Sequence, residues 1–414
     1  MSDPSESFRS VPSVRIPAPL PDGVSPATIG VRGGLLRSGF EETAEAMYLT
    51  SGYVYESAAA AEQAFTGEID RYVYSRYGNP TISMFEERLR LIEGAPACFA
   101  TATGMAAVFT SLGALLGAGD RLVAARSLFG SCFVVCNEIL PRWGVETVFV
   151  DGDDLQQWEE ALSVPTQAVF FETPSNPMQT LVDVAAVSEL AHGAGAKVVL
   201  DNVFATPLMQ RGMELGADVV VYSGTKHIDG QGRVLGGAIL GDREYIDGQV
   251  QTLMRHTGPA ISAFNAWVML KGLETLAVRV DYSSRSALRV AEFLEGHPAV
   301  RWVRYPYLPS HPQYELARRQ MSGGGTVVTL ELDAPDGQGK QRAFELLDKL
   351  QIIDISNNLG DAKSLITHPA TTTHRAMGPE GRAAIGLGDG VVRISVGLEG
   401  TDDLIADLDQ ALAN

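Results

Sequence analysis

Short apolar runs recur along the middle of this 414-residue chain. Several of them lack polar alternation, which is typical of strands buried on both faces. The runs are "RLVAA" (121–125), "ETVFV" (146–150), "AVFFET" (168–173), "KVVLDN" (197–202), "DVVVYS" (218–223) and "GGAIL" (236–240). Most are far enough apart for a crossover helix, so the sequence predicts an α/β fold with a doubly wound, mostly parallel sheet. The last two are too close for such a helix, which predicts an antiparallel strand at 236–240.

The pattern changes after a long helical stretch at 262–296. Strand-like segments at 326–332 and 391–397 flank a helix predicted around 340–350, which indicates a smaller α+β domain. Residues 1–77 show no regular alternation, and we expect them to reach over a neighbouring subunit. The predicted organisation is an N-terminal arm at 1–77, a large α/β domain at 78–277 and a smaller α+β domain at 278–414.

Composition excludes several classes of protein. The formal net charge of -18 argues against nucleic-acid binding, which needs clustered Lys and Arg. There is no apolar run near the roughly 20 residues needed to cross a bilayer, so we expect no membrane span. The three cysteines lack the spacing of a zinc site. The first residues carry no apolar signal-peptide core, and we expect a cytoplasmic protein.

Polar residues stand at the predicted carboxyl ends of two of the runs. Asp201 ends "KVVLD", and Ser223, Thr225 and Lys226 lie at or just after the end of "VVVYS". In open α/β sheets, ligands bind at the carboxyl ends of the strands. The sequence therefore predicts that these side chains share one site.

A helix start is predicted in "ATATGMAAV" (100–108), where Gly104 and Met105 would offer free N–H groups and a positive dipole end to a phosphate. A phosphate nest, a carboxylate and a lysine at one sheet edge are the components of a pyridoxal-phosphate (PLP) site. There the lysine forms an imine with the aldehyde, and the carboxylate keeps the ring nitrogen protonated. Taken singly, each component has a plainer interpretation, as a solvated lysine or as a cap of a turn or helix.

Seven longer motifs extend over nearly the whole chain. They are "YVYSRYGNPT" (72–81), "ATGMAAV" (102–108), "ETPSNP" (172–177), "DNVFATP" (201–207), "YSGTKHIDGQGRVLGG" (222–237), "LGDAKSLITHPATTTH" (359–374) and "RISVGLE" (393–399). Together and in this order they resemble the Cys/Met-metabolism family of PLP-dependent enzymes. The resemblance implies the PLP-dependent transferase fold of type I, with a mostly parallel seven-stranded sheet and a smaller C-terminal α+β domain. It also implies PLP as the cofactor.

The resemblance assigns roles by position. It implies that Lys226 holds PLP covalently and moves protons, that Asp201 pairs with the pyridine nitrogen, and that Asn176 contacts the ring hydroxyl oxygen. The implied phosphate ligands are Ser223, Thr225, the backbone of Gly104 and Met105, and Tyr74 and Arg76 from the adjacent subunit. That last pair implies a homo-oligomer, expected as a tetramer built from a dimer of dimers.

Further positions bear on the substrate. The resemblance implies that Arg393 grips the substrate α-carboxylate in a bidentate fork, with Asn358 nearby where several relatives have Ser. Phe129 would stack on the cofactor ring, where many relatives have Tyr. Ser131 stands where methionine γ-lyases usually carry Cys, which counts against that activity. His227 is interpreted as a packed, hydrogen-bonded residue and not as a catalytic base.

Three stretches indicate the branch of the family. They are "LFGSC" (128–132), "HIDGQGR" (227–233) and "SNNLGDAKSL" (356–365), and they are most similar to O-succinylhomoserine sulfhydrylases. This implies a γ-replacement that converts O-succinyl-L-homoserine and sulfide to L-homocysteine and succinate in methionine biosynthesis, without a metal. Cystathionine γ-synthase, O-acetylhomoserine sulfhydrylase and γ-lyase remain alternatives, because residue chemistry alone does not distinguish the acceptor or the ester.

Two interpretations lie outside the family. "GQGRVLGG" (230–237) approaches the glycine fingerprint of a dinucleotide-binding oxidoreductase, but its spacing is one residue too long and it lies between two predicted strands. A non-catalytic protein on a degenerate enzyme fold would be expected to have lost the lysine or its electrostatic partners. Both are present here. The sequence therefore favours a PLP enzyme.

Overall fold

A seven-stranded sheet forms the centre of the larger part of the computed structural model, which describes residues 14–413. Its order is β1-β7-β6-β5-β4-β2-β3, and β7 runs antiparallel to both of its neighbours. The strands are β1 (Ala97–Thr101), β2 (Arg121–Ala125), β3 (Glu146–Val150), β4 (Ala168–Glu172), β5 (Lys197–Asp201), β6 (Val219–Ser223) and β7 (Gly237–Gly241). All six predicted runs are confirmed as strands, including the antiparallel one, β7. The strand β1 was not predicted.

Helices cover both faces of this sheet. In β5, Val198 and Leu200 pack into one apolar cluster, whereas Val199 packs into a second cluster on the opposite face. This alternation explains why Val198, Val199 and Leu200 are all apolar, since both faces of the strand are buried. The helices of this part of the chain are α1 (Pro26–Arg32), α2 (Ala58–Thr66), α3 (Pro80–Glu93), α4 (Gly104–Leu115), α5 (Gly130–Val134), α6 (Leu155–Ala161), α7 (Val184–Gly193), α8 (Thr206–Met209), α9 (Gln251–Thr257) and α10 (Ala263–Glu295).

A second, smaller sheet follows α10. Its strands are β8 (Val300–Arg304), β9 (Val327–Leu332), β10 (Asp354–Ile355), β11 (Leu365–Thr367) and β12 (Val391–Ser395), in the order β10-β11-β12-β9-β8. All its neighbouring pairs are antiparallel except β10 with β11. The accompanying helices are α11 (Tyr314–Gln320), α12 (Gly339–Lys349), α13 (Gly378–Ala384) and α14 (Thr401–Leu412). The predicted α+β character is therefore confirmed.

The long helix α10 joins the two sheets. It begins after Ser262, whose hydroxyl accepts a hydrogen bond from Asn265 N at 3.1 Å, and it runs without a break through the predicted boundary at 277/278. Leu273 packs into the core of the large sheet, and Val290 packs into the core of the small one. The helix thus belongs to both cores, and the division into domains stays a prediction.

The described part of the predicted arm packs against α3 and α10. Arg88 donates to Gly33 O at 2.8 Å, and Trp267 Nε1 donates to Glu45 O at 2.8 Å. Large apolar side chains on the arm are exposed, such as Phe40 and Val54 at 79% and 90%. Residues 1–13, which belong both to the predicted arm and to the segment used to expect no signal peptide, lie outside the described residues. Within residues 14–413, no helix is both long and apolar enough to cross a membrane.

Candidate active site

A cavity of about 730 Å³ opens at the carboxyl ends of the central strands and extends to the small sheet. Nine of the predicted site residues line it: Gly104, Met105, Phe129, Asn176, Asp201, Ser223, Thr225, Lys226 and Arg393. Asn358 lies beside it, next to the lining residue Asn357. Residues far apart in the chain are therefore brought together, as expected for the strand ends of an open α/β sheet.

The N-terminus of α4 forms one wall of the cavity. Thr103 caps the helix by accepting a hydrogen bond from Ala106 N at 3.0 Å, which leaves N–H groups of the first turn free for a ligand. At Gly104 a side chain would not fit, because an added Cβ would lie 2.5 Å from the Cβ of Ser223. The helix therefore approaches β6 closely enough for its N–H groups and the Ser223 hydroxyl to surround one anion.

Lys226 follows β6 in a tight turn, in which its N–H donates to Ser223 O at 3.2 Å. Its Nζ donates a hydrogen bond to Asn358 Oδ1 at 2.6 Å. Burial and the nearby charge of Arg393 lower the pKa of the Lys226 amine to about 8, and the Asp201 carboxylate opposes this shift. At pH 7 roughly a tenth of this amine is therefore uncharged, far more than for an ordinary lysine, and the neutral form is the one that a nucleophilic or proton-transferring lysine requires.

Two carboxylates lie side by side at the end of the sheet. Asp201 ends β5 and pairs in register with Glu172 at the end of β4. Burial raises the pKa of Asp201 to about 6, although its Oδ1 accepts a hydrogen bond from Val203 N at 3.1 Å. Burial and the charge of Asp201 raise the pKa of Glu172 well above its usual range. A cationic ring nitrogen beside Asp201 would relieve this cost.

Arg393 lies on β12 and reaches across from the small sheet, with only 1% of its surface exposed. Its Nη1 donates to Asn176 Oδ1 at 3.0 Å, and its Nη2 donates to the carbonyls of Asn357 and Asn358 at 2.9 and 3.1 Å. Its Nε is buried and has no partner among the described residues. Burial lowers the Arg393 pKa to about 10, so the group remains cationic and can still bind an anion.

Tyr74 and Arg76 do not line the cavity of their own chain. Arg76 donates to Arg255 O at 2.9 Å, and its guanidinium carbon lies 4.9 Å from the centre of the Tyr74 ring. Tyr74 is 39% exposed. Their contribution to a neighbouring subunit's site stays a prediction. His227 is buried against Thr326, 2.7 Å from its Nε2, and burial lowers its pKa to about 3.

Glu172 is a site residue that was not predicted, although it is the first residue of "ETPSNP". Its carboxylate accepts hydrogen bonds from Phe129 N at 2.9 Å and from Asn176 N. Thr373 and the exposed apolar residues Leu235 and Ile355 also line the cavity without having been predicted. Only the position of the glutamate in the motif could have drawn attention to it, since its partners come from separate loops.

The residues of the cavity fit PLP. The free N–H groups of α4 and the hydroxyls of Ser223 and Thr225 suit a phosphate, the buried Asp201 carboxylate suits a protonated pyridine nitrogen, and a lysine with a lowered pKa lines the same cavity. A model of the Cys/Met metabolism family of PLP-dependent enzymes matches residues 27–413. The chain belongs to this family. The Cys/Met-metabolism enzyme described here is thus a PLP-dependent enzyme.

Individual relatives extend the match. The chain is 85% identical over 401 residues to an O-succinylhomoserine sulfhydrylase of Mycobacterium tuberculosis H37Rv, covering 97% of this chain and 99% of that protein. It is 45% identical over 392 residues to the O-succinylhomoserine sulfhydrylase of Pseudomonas aeruginosa, covering 95% and 96%.

Solved structures confirm the expected fold. A putative O-acetylhomoserine (thiol)-lyase of Campylobacter jejuni, 30% identical, matches with a TM-score of 0.89 over 94% of this chain and 100% of that one. That structure contains a pyridoxyl-lysine monophosphate, which is PLP attached to a lysine. PLP is accordingly the cofactor of the family member described here.

Proposed function

We propose that this enzyme catalyses γ-replacement at O-succinyl-L-homoserine, with sulfide as the incoming nucleophile and L-homocysteine and succinate as products. The observation that carries the proposal is its 85% identity, over 97% of the chain, to a protein named O-succinylhomoserine sulfhydrylase. The cavity supports it, since it combines a lysine of lowered pKa with a buried arginine whose Nε is left without a partner by the described part of the chain.

Arg393 is proposed to bind the substrate α-carboxylate. Its Nε has no partner within residues 14–413, while its two terminal nitrogens are held by Asn176 Oδ1 and by two backbone carbonyls. The guanidinium is therefore fixed in orientation before a substrate arrives, and little entropy is lost when the carboxylate binds. Binding there would place the α-carbon of the substrate on the Lys226 side of the cavity.

Lys226 is proposed to carry PLP and, once the substrate amine has replaced it, to move protons. When bound, PLP supplies an electron-accepting ring conjugated with the substrate amine. Neutral Lys226 removes the proton from the α-carbon, and a second proton leaves the β-carbon. The γ C–O bond breaks, and succinate departs with the bonding electrons. The sulfur of hydrosulfide forms the new γ C–S bond, and the two protons return to carbon.

Asp201 is proposed to hold the ring nitrogen in its protonated form. Ser223, Thr225 and the N–H groups of Gly104 and Met105 are proposed to bind the phosphate. Their convergence on one wall of the cavity supports this assignment. Phe129 would stack on the ring, and Asn176 would contact the ring oxygen.

The remaining expectations concern the assembly and the cellular role. We propose a homotetramer built from a dimer of dimers, with Tyr74 and Arg76 completing the phosphate site of a neighbouring subunit. Exposed aromatic and apolar side chains on the arm support a partner surface. A cytoplasmic location and a role in methionine biosynthesis belong to the same proposal, as does the division at 77 and 277.

Product analysis tests the reaction. Purified enzyme receives O-succinylhomoserine with sulfide and cysteine in competition, and a parallel assay offers O-acetylhomoserine. Mostly homocysteine from the succinyl ester is the expected result. Mostly cystathionine would identify a γ-synthase, mostly 2-oxobutyrate a γ-lyase, and a preference for the acetyl ester an O-acetylhomoserine sulfhydrylase.

The role of Lys226 is tested by substitution. Lys226→Ala should lose turnover and the covalent attachment of PLP, since no other amine in the cavity replaces it among the described lining residues. Lys363→Ala, at a lysine whose side chain is 62% exposed, is the matched control and should behave as the wild type. Wild-type turnover in Lys226→Ala would refute the assignment.

A further inference from the structure

One buried carboxylate connects two loops of the cavity wall. Glu172 is 4% exposed and stands at the end of β4. Its Oε2 accepts a hydrogen bond from the backbone N–H of Phe129 at 2.9 Å, and its Oε1 accepts one from the backbone N–H of Asn176. Phe129 precedes α5 on one side of the cavity, whereas Asn176 lies in the loop after β4. Each oxygen thus holds one loop.

We propose that Glu172 is a positioning residue, which holds the Phe129 loop and the Asn176 loop in the relative placement that the cofactor ring requires. This inference rests on the proposed function, in which Phe129 faces the ring and Asn176 contacts its oxygen. Glu172 itself is not assigned a proton-transfer step. Its two oxygen atoms accept backbone N–H groups and act through the residues that carry them.

The connection continues to the substrate side. The side chain of Asn176 accepts Nη1 of Arg393 at 3.0 Å, and its backbone carbonyl lies 3.0 Å from Nε2 of His374. Glu172 holds the backbone of Asn176, and the side chain of Asn176 in turn orients the arginine that is proposed to bind the substrate carboxylate. One carboxylate would align both the ring-facing loop and the carboxylate-binding group.

The chemistry of the contact explains why a carboxylate is needed. Two N–H donors converge on the side chain, and a carboxylate offers two oxygen acceptors. Glutamine has the same shape but only one oxygen, so its NH₂ would face one of the two donors. Aspartate keeps both oxygens but is one methylene shorter. Burying the Glu172 carboxyl group beside Asp201 costs folding free energy, and an apolar side chain at this position would avoid that cost.

The test compares Glu172→Gln with a control at Asp407. Asp407 is also buried, and it accepts the backbone N–H groups of Gln351, Ile352 and Ile353 at 2.8 to 3.0 Å, but it lies on α14, away from the cavity. Asp407→Asn thus makes the same carboxylate-to-amide change against backbone donors. Both holoenzymes are measured for PLP dissociation constant, for visible circular dichroism per bound PLP, and for KM of the homoserine ester.

Glu172→Gln should raise the PLP dissociation constant about tenfold or more, because one of the two hydrogen bonds is lost and a donor is left facing a donor. Its visible circular dichroism per bound PLP should weaken, since that signal depends on how the ring is held, and KM should rise. Asp407→Asn should lower thermal stability and leave these three quantities unchanged. If Glu172→Gln matches the wild type in all three, or if Asp407→Asn shifts them equally, the inference is overturned.

Two further measurements cover a variant that does not fold and a cofactor that is attached elsewhere. If Glu172→Gln does not fold, Glu172→Asp replaces it, and an unchanged dissociation constant and dichroism in that variant would overturn the inference. Borohydride reduction of the wild type, followed by peptide mass analysis, should locate PLP on Lys226. A label elsewhere would refute the proposed site and this inference with it, whereas a label on Lys226 with a neutral Glu172→Gln would refute the inference alone.

Discussion

The Nζ of Lys226 donates a hydrogen bond to Oδ1 of Asn358 at 2.6 Å. The lysine follows β6 of the large sheet, and the asparagine lies between β10 and β11 of the small one. The backbone carbonyl of the same asparagine accepts Nη2 of Arg393 at 3.1 Å. A single residue of the small sheet therefore contacts both the lysine and the arginine of the proposed mechanism. Its predicted contact with the substrate carboxylate stays a prediction.

Replacing Asn358 should weaken catalysis more than binding. Asn358→Ala removes the acceptor that orients the Lys226 amine, and a hydrogen bond to a charged or partly charged group contributes about 1.5 kcal/mol, which corresponds to about a tenfold loss in kcat. KM should change less, because the carbonyl that contacts Arg393 belongs to the backbone and is retained. Steady-state kinetics with the homoserine ester measure both. Asn137→Ala, at an exposed position, is the control, and equal kinetics in the two variants would contradict the prediction.

The charge state of Lys226 should appear in the pH dependence of cofactor uptake. Burial and Arg393 lower its pKa to about 8 from an ordinary value of 10.5. Only the neutral amine attacks the aldehyde of PLP, so the rate at which the apoenzyme takes up PLP should rise with pH up to about 8 and then level off. Stopped-flow absorbance between pH 6 and 10, approximately the range over which lysines titrate, measures it. A rate that still rises steeply above pH 9 or so would contradict the lowered pKa.

A substitution at Arg393 tests whether its charge contributes to the lowered pKa of Lys226. Arg393→Gln removes a positive charge from the neighbourhood of the amine, so the midpoint of the uptake profile should move to higher pH. Arg285→Gln, at a side chain that is 72% exposed on α10, should leave the profile unchanged. An unshifted profile in Arg393→Gln would assign the lowered pKa to burial alone.

The strand ends could be predicted because they depend on local patterns. The buried strand "KVVLD" places Asp201 at its end, and the turn after "VVVYS" places Lys226 at the end of the next strand. Parallel pairing then brings the two ends together without further information. The strand β1 was missed, although its burial resembles that of the others. It is a short edge strand paired antiparallel with β7, more than a hundred residues later, and no local pattern specifies that partner.

The polar contacts between elements could not be predicted. Glu172 accepts donors from Phe129 and Asn176, and Asn358 accepts Lys226 from 132 residues away. Such pairs depend on how the two sheets sit against each other, and neither periodicity nor turn chemistry encodes that geometry. The same reason applies to α10. Its sequence predicts a helix but cannot tell that Leu273 and Val290 enter two different cores.

The close approach of α4 to β6 predicts a large effect of one methyl group. In Gly104→Ala the added Cβ would meet the Cβ of Ser223 at 2.5 Å, so the helix start must move away from the strand. The N–H groups and the Ser223 hydroxyl would then no longer surround one phosphate, and PLP affinity should fall about tenfold or more. Equilibrium dialysis measures the affinity. Gly193→Ala in α7, where an added Cβ meets nothing within 4 Å, should bind PLP as the wild type does.

Asp201 should show opposite effects on stability and on activity. Burial raises its pKa to about 6, above its ordinary value of 3.8. The pKa of Asp201 is higher in the folded than in the unfolded apoprotein. Its burial therefore costs no free energy of unfolding below about pH 4, and the free energy of unfolding falls as pH rises through 6 or so. Asp201→Asn removes this cost and can still accept the hydrogen bond from Val203 N. Its apoprotein should therefore unfold at pH 7 with a free energy on the order of 2 kcal/mol higher than the wild type, measured in urea. That difference should vanish near pH 4, about the pKa of an unfolded Asp.

Activity of Asp201→Asn should fall about 100-fold or more, since no charge would stabilise the protonated ring nitrogen. An apoprotein that is less stable than the wild type at pH 7 would mean that the ionised Asp201 is compensated by Lys226 even without PLP.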